Sequence, residues 1–529
     1  MAPTENTPLR GGVQTANAAQ RRKRVLAIAA IVIVAAVAIG FWVVDRKHGD
    51  NGTPAKVGKS HDDSTPAPQT PTPAPEEILV PAPAVPSPSP EPLTKVSPVT
   101  APSPANASDV FCDVTKQEAG YITLANKIDD HYFYWYFESR SNPTKDPLVV
   151  WLTGGPGCSS VMALLTENGP CQVTDDLKTV LNPYSWTNNA NVLWLDQPSN
   201  VGYSYATDLD ADQDENDVSD NFYAFLQGFL DKHPELEGRE LYITGESYAG
   251  HYVPAVAHKI WQESKNASAD SSRINLQGIA IGNGLTNPAV QIAHTLDMVN
   301  NTYNVTLMSD EDYQHAKEIL PGCIEVGKEV FETRNASKIQ DLEGCDLVIS
   351  PFKDSHRNPY DIRLPCGDVA DATQCYDITS VNEFLNSADV KERLNVPSEK
   401  QWLECNSSVG LSFMTSGDVL VNYESYVADL LNDGNIRVLL YVGDADTVCN
   451  WYGNKAWATA LEWEHKDEFN AAEEHAFLAS NGSVDAGVAK AYKNQFTFLR
   501  LYNSGHMVPR DQPVVALEML GKFLQGETF

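Results

Sequence analysis

A serine set in a tight turn between a strand and a helix constrains this chain more than any other feature. Leu241-Tyr242-Ile243-Thr244 is an apolar run of strand character, and Gly245-Glu246-Ser247-Tyr248-Ala249-Gly250 comes directly after it. Small neighbours are what a backbone needs to pass from extended to helical around one exposed residue, because a larger side chain there collides with the turn. The last position of the usual G-x-S-x-G pattern is Ala249, and the second glycine comes one step later, at Gly250. Gly-x-Ser alone occurs in many ordinary turns. Its weight here comes from residues farther down the chain.

A serine hydroxyl is a weak nucleophile until a base takes its proton, and the base needs a carboxylate to orient it. The strand-like run 436–442 ends in Gly443-Asp444-Ala445-Asp446, and the run 496–502 ends in Asn503-Ser504-Gly505-His506-Met507-Val508-Pro509. Both polar groups lie just past the C-terminal ends of strands, where doubly wound sheets place their sites. The order Ser, Asp, His is that of the α/β-hydrolase fold. A lone loop histidine is ordinarily a surface residue, whereas one that completes this order reads as the general base. The fold stabilises an oxyanion with the N–H of the residue after the nucleophile, here Tyr248, and one from a glycine-rich loop after an early strand. Thr153-Gly154-Gly155-Pro156-Gly157-Cys158-Ser159-Ser160, after the run 148–152, is that loop.

Through these blocks the chain resembles the serine carboxypeptidase family. The resembling segments are 151–160, Glu167-Asn168-Gly169-Pro170, Asp196-Gln197-Pro198 with Val201-Gly202-Tyr203-Ser204, 245–254, 444–451 and 505–509. They span the chain from about residue 111 to its C-terminus, and Cys449-Asn450-Trp451 is especially like the fungal vacuolar carboxypeptidases. The resemblance implies Ser247 as nucleophile, His506 as base, Asp446 rather than Asp444 as orienting acid, and an oxyanion hole from Gly155 and Tyr248. It also implies that Trp151, Glu167 and Glu246 bind the substrate's terminal carboxylate, with Thr153 where the family commonly has Asn. A threonine donates through its hydroxyl but lacks the paired donors of an amide. A carboxylate accepts a hydrogen bond from a glutamic acid only while that acid keeps its proton, and carboxyls in contact raise one another's pKa. Activity at acidic pH is therefore expected. Cys449 and Met507 are expected to line the substrate pocket and to favour hydrophobic residues.

Strand-like runs at 132–137, 148–152, 192–195, 241–244, 279–281, 436–442 and 498–502 alternate with helical stretches, the βαβ pattern of a mostly parallel sheet. Between 284 and 436 no comparable strand series occurs. Residues 286–430, approximately, are read as a cap inserted into an α/β-hydrolase catalytic domain covering 107–529. Ahead of it, residues 1–24 end in Arg21-Arg22-Lys23-Arg24, and 25–44 are uncharged. That length spans a bilayer and exceeds the ~7–15-residue apolar core of a cleavable signal. The positive-inside rule leaves 1–24 in the cytosol and the rest lumenal or extracellular, a single-pass type II signal anchor; cleavage of a long signal is the alternative. Residues 45–106, rich in Pro, Ser and Thr, read as a disordered, extended stalk. The compartments this admits are secretory, vacuolar or lysosomal membranes and the cell surface.

The net charge of −32, from 70 acidic and 38 basic residues, argues against nucleic acid as a partner. The acidic run 208–217 lacks EF-hand spacing and reads as a solvated loop. No His/Cys cluster has zinc spacing and no strand leads into a nucleotide fingerprint, so neither metal nor cofactor is expected. Nine cysteines in a secretory chain suggest four disulfides and a free thiol. The family resemblance pairs Cys158 with Cys405 and Cys366 with Cys375; nearness within the cap pairs Cys323 with Cys345, leaving Cys112 with Cys171 and Cys449 free. Sequons stand at Asn51, Asn106, Asn266, Asn300, Asn304, Asn335, Asn406 and Asn481. Asn406 is crowded by Cys405. Three functions stay open: a membrane-tethered carboxypeptidase acting on peptide or protein C-termini, an acyltransferase on the same triad, and an inactive surface binding module. Intact Ser247, Asp446 and His506 oppose the last, and the Glu246/Glu167 pair favours the first over the second.

Overall fold

The structure, a computed structural model, describes residues 111–266, 274–333, 344–366, 375–480 and 482–529. The basic segment, the apolar run 25–44, the stalk and the sequons at Asn51, Asn106, Asn335 and Asn481 lie outside them. Among the described residues no helix is long and apolar enough to cross a membrane.

Among the described residues eleven strands form the main sheet, ten of them in one continuous order: β1 (Gln117–Thr123), β2 (Asp130–Phe137), β3 (Leu148–Thr153), β4 (Asn191–Leu195), β5 (Glu240–Glu246), β6 (Asn275–Gly282), β7 (Arg437–Gly443), β8 (His475–Ala479), β9 (Val484–Tyr492) and β10 (Phe496–Leu501). Their spatial order is β1-β2-β4-β3-β5-β6-β7-β10-β9-β8, with the short strand Tyr205–Ala206 beside β2. The six from β4 to β10 pair in parallel and the outer ones antiparallel. Every residue of β3 and β4 is buried, as covering both faces of a parallel sheet requires. All seven expected strands belong to this sheet. Hydrophobic patterning did not reveal β1, β8 and β9, which lie at its margins; β8 buries only Phe477 and Ala479. A margin strand keeps one side wet and so loses the continuous apolar run.

Side chains alternate between two cores, since the strand period is two. Val150 and Leu152 of β3 join one core with the apolar faces of α2 (Glu215–Lys232) and α3 (Ala249–Asn266); Val149 and Trp151 join the other with α1 (Ser160–Thr166) and the C-terminal helix Pro513–Gln525. The acidic run is less solvated than expected. Asp214 caps α2, and buried Asp212 accepts from Tyr132 Oη at 2.8 Å and Asn221 Nδ2 at 2.7 Å, which compensates its desolvation.

The region read as a cap divides in two. Met298, Leu307, Phe352 and Ile362 form a satellite cluster with Ala445, and Cys323, Cys345, Val348 and Ile349 form another. Most buried apolar residues from Val381 to Leu431 instead join the two main cores, while Val421 and Tyr423 pack with Ala255. Disulfides join Cys112–Cys171, Cys158–Cys405, Cys323–Cys345 and Cys366–Cys375, the pairs expected from the sequence, and Cys449 is free. Asn266, Asn300 and Asn304 are exposed. The Asn406 amide donates to the Asn200 carbonyl at 2.8 Å and its oxygen caps the helix Ser407–Ser416, so it is already engaged.

The chain runs from β3 to β4 on one side and then returns to β5 on the other side of β3. That reversal opens a crevice beyond the C-terminal ends of β3 and β5. The glycine loop and Ser247 both start there.

Candidate active site

Ser247 has φ +67°, a left-handed conformation unusual for a residue with a Cβ. The turn is held on both sides: Ser247 N donates to Gly282 O at 3.0 Å, and Ser247 O accepts from Gly250 N at 2.9 Å and Leu285 N at 3.0 Å. A Cβ on Gly245 would stand 2.4 Å from Leu152 O and 2.6 Å from the Ala249 Cβ. The missing side chain at 245 therefore makes room for the methyl that replaces the expected glycine at 249. A Cβ on Gly250 would meet Leu285 O at 2.4 Å.

His506 Nδ1 lies 2.7 Å from Asp446 Oδ2, with both side chains buried. Asp446 also accepts from Asn283 Nδ2 at 2.8 Å, Val448 N at 2.8 Å and Cys449 N at 3.1 Å, which compensates its desolvation. Asp444 faces away, bonded by the Tyr303 hydroxyl and, at 3.1 Å, by Arg500. This separates the two candidate acids. The His506 backbone N donates to Tyr360 O at 2.7 Å, and the Tyr360 ring stands edge-on to the imidazole at 5.1 Å. His506 Nε2 is buried and has no hydrogen-bond partner among the described residues, and it shares one cleft with Ser247.

Asn283 was missed in the sequence. Its side chain spans Asp446 and Gly443, whose N–H it accepts at 3.0 Å, so it ties the acid to the end of its strand. The available signal was Gly282-Asn283-Gly284, immediately after a strand next to the elbow's.

Neither the Gly155 nor the Tyr248 N–H is used by another group among the described residues. Gly154 lets the loop run against the elbow: a Cβ there would be 2.3 Å from Tyr248 N. The loop is also fastened to the cap region by Cys158–Cys405, by Ser159 N to Glu404 O at 2.8 Å, and by Asn406 N to Gly157 O at 2.8 Å. Below it, Asp196 Oδ1 accepts from Ser159 Oγ at 2.6 Å. With two free donors beside the α3 N-terminus, the site is built to stabilise an oxyanion.

The four residues assigned to carboxylate binding occupy two layers. Thr153 and Glu246 line the cleft, while Trp151 and Glu167 do not and are wholly buried. Trp151 Nε1 donates to Thr153 Oγ1 at 2.9 Å, so the threonine's proton is left to donate elsewhere. Burial, and next the neighbouring Glu167 carboxyl, push Glu246 well above the ordinary carboxylate range. Burial pushes Glu167 up to about 7 against the pull of the Arg510 charge. Both Glu167 oxygens and Glu246 Oε2 are buried, and the hydrogen bond between the two carboxyls, which needs a retained proton, is the partner they have. Buried and bonded to each other, the pair retains a proton at mildly acidic pH, and Glu246 is the group that holds it.

Met507 lines the cleft as expected, but Cys449 does not. Its thiol is buried in the main core, where burial and then the Asp446 charge raise its pKa well above the usual thiol value. Among the described residues no cluster of His, Cys, Asp or Glu side chains converges as metal ligands.

The profile of the family described as serine carboxypeptidase matches residues 109–526. A serine carboxypeptidase-like protein of Oryza sativa subsp. japonica is 39% identical over 412 residues, covering 77% of this chain and 92% of that protein. Carboxypeptidase Y homolog A of Ajellomyces dermatitidis is 39% identical over 423 residues, covering 78% of this chain and 74% of that protein. Among solved structures, Kex1Δp, a prohormone-processing carboxypeptidase from Saccharomyces cerevisiae, superposes with a TM-score of 0.68 at 26% identity; the match covers 78% of this chain and 92% of that one.

Proposed function

This chain belongs to the serine carboxypeptidase family and is a serine carboxypeptidase, and we propose that Ser247, His506 and Asp446 carry its reaction. Ser247 Oγ attacks the carbonyl carbon of the last peptide bond while His506 Nε2 takes its proton. Asp446 holds the Nδ1–H and balances the imidazolium. The carbonyl oxygen becomes an oxyanion between the N–H groups of Gly155 and Tyr248. Collapse breaks the C–N bond, His506 returns the proton to the leaving amine, and the terminal amino acid departs. Water, activated by the same histidine, then hydrolyses the acyl-enzyme. The observation that carries this reading is the His506–Asp446 pair at 2.7 Å, whose free Nε2 shares a cleft with Ser247. Fluorophosphonate labelling and C-terminal sequencing of a peptide library test it: labelling and one-by-one loss of terminal residues are expected, and both should vanish in Ser247→Ala. A labelled enzyme that leaves every peptide intact but transfers acyl groups from esters would favour the acyltransferase reading.

The terminal carboxylate binds to Thr153 Oγ1 and to protonated Glu246, with Trp151 and Glu167 supporting them from behind. This favours mildly acidic conditions, because the acid must be protonated to donate. Apolar side chains are preferred beside the scissile bond, where Met162, Ile378 and Met507 line the cleft. Release of C-terminal Lys or Arg faster than Leu or Phe would overturn that preference.

Residues 25–44 act as an uncleaved type II anchor, with the enzyme held on the lumenal or outer side of a secretory, vacuolar or surface membrane by the stalk. The run's length and its basic N-terminal flank support this. The full-length protein should resist alkaline carbonate extraction and keep an N-terminal tag. A soluble product beginning just after Val44 would overturn it.

A further inference from the structure

Arg510 lies one turn beyond His506 on the short helix Val508–Asp511 and lines the same cleft. Its guanidinium is 4.4 Å from the Tyr376 ring centroid. Among the described residues that guanidinium makes no salt bridge and no hydrogen bond. A guanidinium stacked on an aromatic face keeps its N–H edges directed outward, suited to bidentate donation to a carboxylate.

Depth decides which carboxylate. Thr153 is 6% and Glu246 3% exposed, whereas Arg510 is exposed. The terminal carboxylate belongs with the buried pair, and Arg510 stands nearer the rim. If the peptidase reading holds, a substrate has its scissile carbon at Ser247 and its carboxylate at Thr153 and Glu246. The released residue spans those two anchors, so its side chain meets the wall that lies between and beside them. Met162, Ile378 and Met507 make that wall apolar, and Arg510 adds one cation to it. Glu404 also lines the cleft, but it already interacts with its own neighbours. An aliphatic stem ending in an anion matches this combination.

We propose that Arg510 is a specificity-determining residue: it admits C-terminal glutamate and aspartate to the released-residue pocket alongside apolar residues, and it disfavours lysine and arginine there.

The test measures kcat/KM for N-blocked dipeptides ending in Phe-Leu, Phe-Glu, Phe-Gln and Phe-Lys, with the parent enzyme, Arg510→Met and Arg510→Glu. Ratios between substrates are read because they do not depend on the fraction of folded enzyme. In Arg510→Met the Glu-to-Leu ratio should fall about 10–100-fold, the size expected for a charge-assisted hydrogen bond. In Arg510→Glu the Lys-to-Leu ratio should rise by a similar factor, and raised salt should compress the parent's Glu-to-Gln ratio. Unchanged ratios in both variants overturn the proposal. So does a parallel fall for all four substrates that spares a C-terminally amidated peptide, since that would place Arg510 on the terminal carboxylate. Parent enzyme that releases Leu but shows no dependence of Glu release on Arg510 overturns this inference alone. Parent enzyme that releases nothing from any peptide overturns the peptidase reading as well.

Discussion

Glu246 and Glu167 place two carboxyls where burial leaves room for one charge. Glu167 gives up its proton near pH 7, while Glu246, pushed well above the ordinary carboxylate range, is the carboxyl that keeps one. While Glu246 keeps its proton it can donate to a substrate carboxylate; once it too is ionised, two anions face a third. KM for free-acid peptides should therefore begin to rise as Glu167 ionises near pH 7 and climb further as Glu246 follows, while C-terminally amidated substrates change little. Glu246→Gln supplies a donor that does not titrate and should flatten the rise. Parallel pH profiles for acid and amide substrates would remove the pair from carboxylate binding. Asn283 makes a different contribution, because it touches the acid and not the substrate. Asn283→Ala deletes one buried hydrogen bond to a charge, worth about 1.5–3 kcal/mol, and should lower kcat about 10–100-fold with KM nearly unchanged. Asn283→Asp should not rescue it, because it sets a second negative charge against Asp446. A variant with parental kcat would show that Val448 N and Cys449 N suffice to orient the carboxylate.

Among the elements, the glycine loop depends most on distant chain. Cys158–Cys405 closes a loop across a sequence separation of 247, and an isolated β-bridge joins the same two residues. The bond thus fixes the segment that carries Gly155 to a region whose apolar residues lie in the main cores. Replacing both cysteines with serine should cost about 2–5 kcal/mol of stability. It should also lower kcat more than it raises KM, since a loosened Gly155 N–H is missed chiefly in the transition state. Replacing Cys323 and Cys345, which close 22 residues within a satellite cluster, should lower melting temperature with little change in kcat. Equal kinetic effects from the two pairs, measured on folded protein at matched temperature, would mean that the first bond does not hold the oxyanion site.

Among the described residues, several acids are buried with too little compensation to keep them ionised as readily as in water. Burial raises Asp196 and Asp418 to about 6 and Asp130 and Glu167 to about 7, and pushes Glu215 and Glu246 well above the ordinary carboxylate range. A carboxyl whose folded pKa exceeds its unfolded value near 4 binds its proton more tightly in the folded state. Stability from these groups is therefore greatest below about pH 4 and is lost as pH rises through 6 and 7. Thermal unfolding of the catalytic domain should show a higher midpoint at pH 5 than at pH 8, by a free energy on the order of 2 kcal/mol or more. Glu167→Gln should narrow the difference, and a midpoint that rises toward pH 8 would contradict it. The parallel strands, the elbow and the order of Ser247, Asp446 and His506 were legible in the sequence because each is local. An apolar run sets a strand, small residues permit a turn, and the C-terminal end of a strand delivers the next loop to one edge of the sheet. The choice of Asp446 over Asp444 was already implied by the family resemblance, whereas the support from Asn283, the partition of the cap region and the burial of Cys449 and Trp151 were decided only by the tertiary structure. They depend on which groups meet across long stretches of chain, 163 residues for Asn283 and Asp446, and desolvation, which sets the chemistry of Glu246 and Glu167, exists only once the chain has packed around them.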